Sequence, residues 1–284
     1  MAVEMADVSW TALGVAMARA AEDDRPDPLF HDPLAAAVIA AGGEHAPFAA
    51  GQGEADLWQL MRELMGDYVS VRTKYFDDYL LAAGCRQAVL VAAGFDARAF
   101  RLDWPADVRV FELDMPQALR FKEQIVERAG VRPRCERVVV PTDLREDWPA
   151  ALRAAGFDPG TPTAWLAEGL LPYLSVADND RLIAGITELS APESQLSVEY
   201  LDAEPGQVPE LDEVEPQVTE WFRELWKGGV GMAADRWLGQ HGWDARIDDP
   251  IRLGADYGRA PSPMFAESGA GAPQFVTARL VPAR

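Results

Sequence analysis

The stretch that decides the fold reads Ala88-Val89-Leu90-Val91-Ala92-Ala93-Gly94-Phe95-Asp96-Ala97. Its first half is apolar without alternation, which is typical of a strand buried on both faces of a sheet. The small residues at its centre allow a ligand to lie directly against the backbone of the turn that follows. A single glycine after a strand is also explained by an ordinary turn, so the stretch alone leaves both interpretations open.

Similar apolar runs recur along the chain and alternate with helical segments. The predicted strands lie at residues 108–113, 137–140, 163–167 and 195–200, and the predicted helices at 115–129, 147–155 and 175–189. This alternation predicts an α/β fold with a doubly wound, mostly parallel sheet. A further helix is expected within 230–242. A strand at 243–247 and a terminal strand at 274–281 are expected to form an antiparallel pair at the sheet edge, joined by the loop 258–272.

Residues 1–85 are predicted to form a helical cap in front of this core. The helical pattern covers residues 8–24 and 54–83, and Asp32 is placed to cap a short helix between them. Residues 86–284 form the predicted core, with an inserted acidic segment at 202–227. Its first part, 202–220, holds seven acidic residues, three prolines and no Lys or Arg, which fits either a solvated linker or a lid over a pocket.

Composition narrows the function classes. The chain has 284 residues and a formal net charge of -20, which disfavours binding to nucleic acid. Its two cysteines and the absence of a signal-type opening predict a cytoplasmic protein, and no apolar run has the length of a membrane span. The three histidines and two cysteines have no zinc-type spacing, so no metal centre is expected. Composition does not predict the oligomeric state.

Acidic residues follow the later strands at the edge where ligands bind in open parallel sheets. Asp114 lies 20 residues after Gly94, an offset typical of an acid that binds a ribose diol, although it can also cap the next helix. Asp143 can accept from an exocyclic amine beside an apolar wall at Leu144, and Glu168 follows the fourth strand. One glycine and three acids suit a nucleoside with a cationic tail better than a pyrophosphate.

Five segments carry a resemblance to a known family. They are residues 69–78, 89–102, 111–116, 143–145 and 168–174, and they occur in the same order. The chain resembles the S-adenosylmethionine-dependent methyltransferases of the leucine carboxyl methyltransferase family. It is most similar to a bacterial branch that includes polyketide carboxyl O-methyltransferases of the tetracenomycin type. The resemblance implies a Rossmann-like class I methyltransferase fold and S-adenosyl-L-methionine as cofactor.

The resemblance also implies roles for individual residues. Arg72 matches the arginine that binds the cofactor's carboxylate, Gly94 lies under its methionine portion, and Asp114 binds its ribose. Asp143 and Leu144 match the adenine site. Glu168 matches an acid near the cofactor's amino end and the substrate, and Tyr173 a pocket-wall tyrosine; these two are the candidate catalytic residues. Ala92 stands where the family usually has the first glycine of its motif. Asp96, Arg98 and Arg101 are expected to hold the loop by ion pairing.

The expected reaction is methyl transfer to an oxygen of a small acidic or aromatic metabolite. A carboxyl oxygen is the first choice, because a carboxylate is ionised at neutral pH and needs no general base. A phenol would need a base, for which His241 and Glu168 are the candidates. Two other functions remain open: a catalytically silent scaffold or sensor that binds the cofactor, and an oxidoreductase that uses a nicotinamide.

Overall fold

The computed structural model describes residues 8–42, 65, 67–204, 224–262 and 272–281. Within them the chain forms one seven-stranded sheet with the strand order β3-β2-β1-β4-β5-β7-β6. The strands are β1 (Gln87–Val91), β2 (Arg109–Asp114), β3 (Glu136–Pro141), β4 (Thr163–Ala167), β5 (Gln195–Asp202), β6 (Trp243–Asp248) and β7 (Ala272–Leu280). Strands β1 to β5 pair in parallel, and β7 pairs antiparallel with both β5 and β6. The carboxyl ends of β1 to β5 therefore share one edge of the sheet.

Helices cover both faces of this sheet. They are α1 (Val8–Asp23), α2 (Ala35–Gly42), α3 (Tyr68–Ala82), α4 (Arg98–Arg101), α5 (Pro116–Ala129), α6 (Trp148–Ala154), a 3₁₀ helix (Leu171–Tyr173), α7 (Val176–Glu188), α8 (Ala234–Gln240) and α9 (Pro250–Asp256). One apolar cluster joins α1, α2 and α3 to the inner residues of β1 and β2, and the second fills the opposite face. The cap helices thus share a core with the sheet. The division at residue 85 stays a prediction.

Local capping explains where several helices begin. Asp32 accepts from the backbone nitrogens of Leu34 and Ala35 at 2.9 and 3.1 Å, which confirms the predicted cap before α2. Asp147 and Ser175 accept in the same way at the starts of α6 and α7. The Asp249–Pro250 pair begins α9, a helix that the sequence analysis did not predict although a capping acid followed by proline was its signal.

The predicted strand and helix pattern is confirmed to within two residues for β1 to β5 and for the helices between them. The antiparallel terminal strand is also confirmed. The predicted antiparallel pair at the edge is confirmed, because β6 pairs with β7 and forms the edge strand. The sequence analysis missed α9, which lies in the connection between these two strands. Residues 43–64 of the predicted cap and 205–223 of the acidic segment lie outside the described ranges. Within those ranges, no helix has the length and apolar character needed to cross a membrane.

Candidate active site

The turn after β1 has the backbone that a close ligand approach requires. Ala92 and Gly94 both lie in the left-handed region, with φ of 55° and 46°. Such a conformation is strained for Ala92, because a Cβ crowds the backbone in this region. Among the described residues, a Cβ added at Gly94 would contact the Ala12 side chain alone, at an ordinary distance of 3.9 Å. From the cap, Arg19 donates to the carbonyl of Phe95 at 2.8 Å and holds the turn in place.

Asp114 ends β2 beside this turn. One carboxylate oxygen accepts from the Gly94 nitrogen at 2.6 Å, and the other accepts from the Met115 nitrogen at 2.7 Å. Asp114 therefore binds the nitrogen of Met115, the residue before α5, and contacts the glycine turn at the same time; its side chain does not cap the helix. Burial raises its pKa, while the two backbone donors act against that rise. A carboxylate held by backbone N–H groups keeps lone pairs for a further donor such as a hydroxyl.

Glu112 lies two residues earlier and has a different environment. It is fully buried and accepts from Lys122 Nζ and from Arg137 Nη2, both at 2.7 Å. Because both of its partners are themselves buried cations, this carboxylate has a structural role and is not available to a ligand. The structure thus separates the two acids that the sequence places at the end of β2.

Asp143 and Leu144 follow β3 at the same edge of the sheet. Arg145 pairs with Asp143 through Nη2 at 2.6 Å, and its side chain is 71% exposed. The Arg145 hydrogen bonds lower the pKa of Asp143, so this carboxylate is ionised at neutral pH. Leu144 is partly buried against the apolar cluster on that face. Together they form an apolar surface beside a carboxylate, as an adenine site requires.

Arg72 lies on α3 between two carboxylates. Its Nε is 2.9 Å from Glu168 Oε1, and its Nη1 lies 3.1 and 2.9 Å from the two oxygens of Glu199. Arg72 is 6% exposed, and Glu168 and Glu199 are nearly as well buried. Glu199 also accepts from the Tyr68 hydroxyl and, at 2.7 Å, from the Gly169 nitrogen.

The same network continues from Glu168 into the loop after β1. Arg98 Nη1 is 2.6 Å from Glu168 Oε2, and Arg98 also pairs with Asp96 and Asp77. Arg101 binds both oxygens of Asp77, so the predicted ion pairing of this loop is confirmed. Burial disfavours the ionised form of Asp96, but Arg98 and Lys122 outweigh it and lower its pKa to about 2. Burial likewise opposes ionisation of Glu168, and Arg98 with Arg72 brings its pKa below the usual value.

Predicted site residues therefore fall into two groups joined by the β1 turn. Arg72 and Glu168 are in direct contact, as are Gly94 and Asp114. Tyr173 ends the 3₁₀ helix after β4, and its ring lies perpendicular to that of Trp226 at 6.4 Å. Sequence reasoning missed Glu199 and Tyr68; the only available signal for Glu199 was an acid inside an apolar strand.

His241 is not placed to act as a general base at this edge. His241 follows α8 just before β6, and β6 runs in the same direction as β1 to β5. His241 therefore lies at the amino ends of these strands, whereas the site lies at their carboxyl ends. Its ring nitrogen lies 3.4 Å from Asp180. The candidate assignment of His241 is therefore corrected, and of the two predicted bases only Glu168 lies at the site.

The donors and acceptors fit an adenosyl cofactor that carries an amino acid. A guanidinium matches a carboxylate, the acid beside it matches an ammonium, and an acid with backbone-held oxygens matches a diol. The network of Arg72, Arg98 and Arg101 with Asp77, Asp96, Glu168 and Glu199 holds four carboxylates against three guanidiniums. One negative charge is therefore in excess, which complements a positively charged ligand.

Comparisons with known proteins identify the family of this chain. The model of the leucine carboxyl methyltransferase family matches residues 12–187, more than half of the chain. A protein of Parafrankia sp. that carries the name of an S-adenosyl-L-methionine-dependent methyltransferase is 46% identical over 277 residues, which are 96% of this chain and 87% of the relative. A similarly named protein of Saccharopolyspora erythraea is 42% identical over 281 residues, which are 96% of this chain and 95% of the relative.

A solved structure supports the fold. A protein from Thermobifida fusca that carries the name of a methyltransferase superposes with a TM-score of 0.52 at 18% identity; the match covers 95% of this chain and 94% of the Thermobifida fusca chain. Together with the strand order and the mostly parallel sheet, this likeness supports the Rossmann-like class I methyltransferase fold. The chain therefore belongs to the leucine carboxyl methyltransferase family and is an S-adenosyl-L-methionine-dependent methyltransferase.

Proposed function

We propose that the chain methylates an oxygen atom of a small metabolite, with a carboxyl oxygen as the first choice. The observation that carries the proposal is the charged network at the carboxyl ends of β1, β4 and β5, next to the left-handed turn at Ala92 and Gly94. The resemblance to polyketide carboxyl O-methyltransferases supports a carboxyl acceptor. So does the position of His241, because a reaction on a carboxylate needs no base.

Each end of the proposed cofactor site has its own residues. At the methionine end, Arg72 binds the carboxylate, Glu168 binds the amino group and Gly94 lies under the chain between them. At the adenosine end, Asp114 binds the ribose diol, and Asp143 with Leu144 binds the adenine. Tyr173 lines the acceptor pocket. When bound, the cofactor supplies a methyl group made electrophilic by its sulfonium sulfur. The protein aligns the acceptor oxygen with that methyl and excludes water.

A phenolic or other hydroxyl oxygen is the second candidate, and one cavity favours it. A cavity of about 450 Å³ lies beside Tyr68 and is lined by Asp202, Asp249 and Gln274 among others. Among its described lining residues there is no Lys or Arg. The carboxylates of Asp202 and Asp249 disfavour an acidic substrate in this cavity and favour a substrate group that donates hydrogen bonds. If the acceptor lies in this cavity, a hydroxyl fits the lining better than a carboxylate.

The test uses cofactor labelled in its methyl group and a panel of small carboxylic acids and phenols of matched ring size. Mass spectrometry then detects a gain of one methyl group, and treatment with alkali identifies the oxygen, because a methyl ester hydrolyses and a phenyl ether does not. We expect an alkali-labile product. An alkali-stable ether would support the second candidate. Transfer to nitrogen or carbon would contradict the proposal, and cofactor binding without any product would favour a silent scaffold.

A further inference from the structure

We propose that Glu199 is a positioning residue that holds Arg72 ready for the cofactor's carboxylate. Glu199 lies on β5, is 8% exposed, and has no role in the set of residues derived from the sequence. It meets Arg72 across 127 residues of chain. The inference rests on the proposed role of Arg72 in the cofactor site.

The environment of Glu199 demands a carboxylate. Its Oε1 accepts from the Tyr68 hydroxyl and from Arg72 Nη1 at 3.1 Å. Its Oε2 accepts from Arg72 Nη1 at 2.9 Å and from the Gly169 nitrogen at 2.7 Å. All of these partners are donors. An amide offers only one accepting oxygen, so a glutamine of the same shape would leave at least one buried donor without an acceptor.

These contacts determine which part of the Arg72 guanidinium stays available. Glu199 binds Nη1 by hydrogen bonds, and Glu168 Oε1 lies 2.9 Å from Nε as an ion pair without a hydrogen bond. Among the described residues Nη2 has no hydrogen-bond partner, so Glu199 fixes Nη1, Glu168 balances the charge at Nε, and Nη2 is left for a ligand. A carboxylate from the cofactor can bind there through charge-assisted hydrogen bonds.

Removal of the Glu199 charge would change this arrangement in a predictable direction. With Nη1 released, the guanidinium of Arg72 is free to turn toward Glu168. Glu168 Oε1 can then cover Nη2, the nitrogen that the ligand needs, while Glu168 Oε2 stays bound to Arg98. Glu199 therefore acts through Arg72. It keeps the two charges of Arg72 and Glu168 paired in a way that leaves a binding position open.

The bond from Gly169 gives Glu199 a second means of positioning. Gly169 follows Glu168 directly and has φ of 63°, in the region that favours glycine. Its nitrogen is tied to Glu199, so the turn that carries Glu168 and the helix that carries Arg72 share one anchor. Both proposed contacts to the amino-acid end of the cofactor thus depend on the same side chain.

The test compares two ligands on purified Glu199→Gln protein by calorimetry. S-Adenosylhomocysteine carries the amino-acid end, and 5′-methylthioadenosine has the same adenosine without it. We expect the variant to bind S-adenosylhomocysteine about tenfold more weakly than the unaltered protein, which corresponds to one carboxylate contact. Binding of 5′-methylthioadenosine should change less than twofold. An unchanged ratio of the two affinities, or tighter binding of S-adenosylhomocysteine, would overturn the inference.

Glu112→Gln is the matched control. It also removes a fully buried carboxylate that accepts from a buried arginine, but its partners are Lys122 and Arg137. Any indirect effect through Asp114 would act on the ribose, which both ligands share. The ratio of the affinities for S-adenosylhomocysteine and 5′-methylthioadenosine should therefore be the same in Glu112→Gln as in the unaltered protein. If the unaltered protein binds neither ligand, the proposed cofactor site fails; if it binds both and Glu199→Gln leaves their ratio unchanged, only the role of Glu199 fails.

Discussion

The two ends of the proposed cofactor site are built in different ways. At the methionine end, Arg72 lies in a buried network in which each guanidinium meets at least one carboxylate. At the adenosine end, Asp114 is held by two backbone nitrogens, and among the residues that the structure describes Asp143 pairs only with the exposed Arg145. A buried charge that loses its partner is costly, whereas an exposed pair contributes little. The fold therefore depends on the methionine end and tolerates changes at the adenosine end.

The sharpest test of this difference is Arg72→Ala, for which we expect the largest effect. Its removal leaves Glu168 and Glu199 buried with one cation fewer, so the free energy of unfolding should fall by about 3 to 5 kcal/mol. The affinity for S-adenosylhomocysteine should fall by about 2 kcal/mol or more. Urea unfolding measures the first quantity, and calorimetry on the folded variant measures the second.

Arg137→Ala provides the control for Arg72→Ala. This arginine is also buried and pairs with Glu112 and Glu123, on the far side of β2 from the methionine end. Its loss should lower the free energy of unfolding without lowering the affinity for S-adenosylhomocysteine. If Arg72→Ala leaves the dissociation constant unchanged, Arg72 does not belong to the cofactor site.

The contrast between the two ends could be predicted only in part from the sequence. Apolar runs such as 88–92 identify buried strands because no polar side chain interrupts them, and an acid that follows such a run lies at the ligand-binding edge. Asp114 and Glu168 were therefore predictable. The pairing of Arg72 with Glu199 was not, because a local pattern cannot show which of the 46 acidic residues meets a given arginine 127 residues away.

Two further differences arise from tertiary structure. Ala92 takes a left-handed backbone that its own preference disfavours, since the surrounding strand and turn require it. The insertion of β7 between β5 and β6 is likewise not encoded in either strand's own pattern. The position of β7 depends on tertiary structure, because β7 pairs with the side of β5 that the parallel strands leave unpaired.

The pH dependence of stability gives the second test. The pKa of Asp96 is about 2 in the folded protein, below its ordinary value of 3.8, so its ionised form stabilises the fold. This contribution is complete above pH 3.8 and is lost as the pH falls through 2. It amounts to roughly 2 kcal/mol. Asp96→Asn should be less stable at pH 7 by about that amount, and the difference from the unaltered protein should shrink between pH 4 and pH 2.

Urea unfolding at pH 7, 4 and 2.5 measures this difference directly. Asp143→Asn is the matched control, because its pKa is also lowered but its partner Arg145 is exposed. We expect the free energy of unfolding of Asp143→Asn to match that of the unaltered protein closely at all three pH values. A constant difference for Asp96→Asn across the range would mean that charge pairing with Arg98 is not what stabilises the loop.

A smaller effect on stability than for Arg72→Ala or Asp96→Asn is expected for Asp114→Asn, and it should come with a clear loss of binding. Burial raises the Asp114 pKa, so its ionised form opposes folding at neutral pH, and this opposition disappears below pH 3.8. The asparagine removes that cost but keeps only one accepting oxygen for the Gly94 and Met115 nitrogens. The two changes offset, and the free energy of unfolding should move by less than about 1 kcal/mol.

Binding should respond differently to Asp114→Asn, since a ribose diol loses a charged acceptor. We expect S-adenosylhomocysteine and 5′-methylthioadenosine to bind about tenfold more weakly, and to the same extent, because both contain the ribose. That equal loss is the counterpart of the selective loss expected for Glu199→Gln. If Asp114→Asn instead weakens the binding of S-adenosylhomocysteine alone, Asp114 acts on the amino-acid end, and the assignment of the two ends must be exchanged.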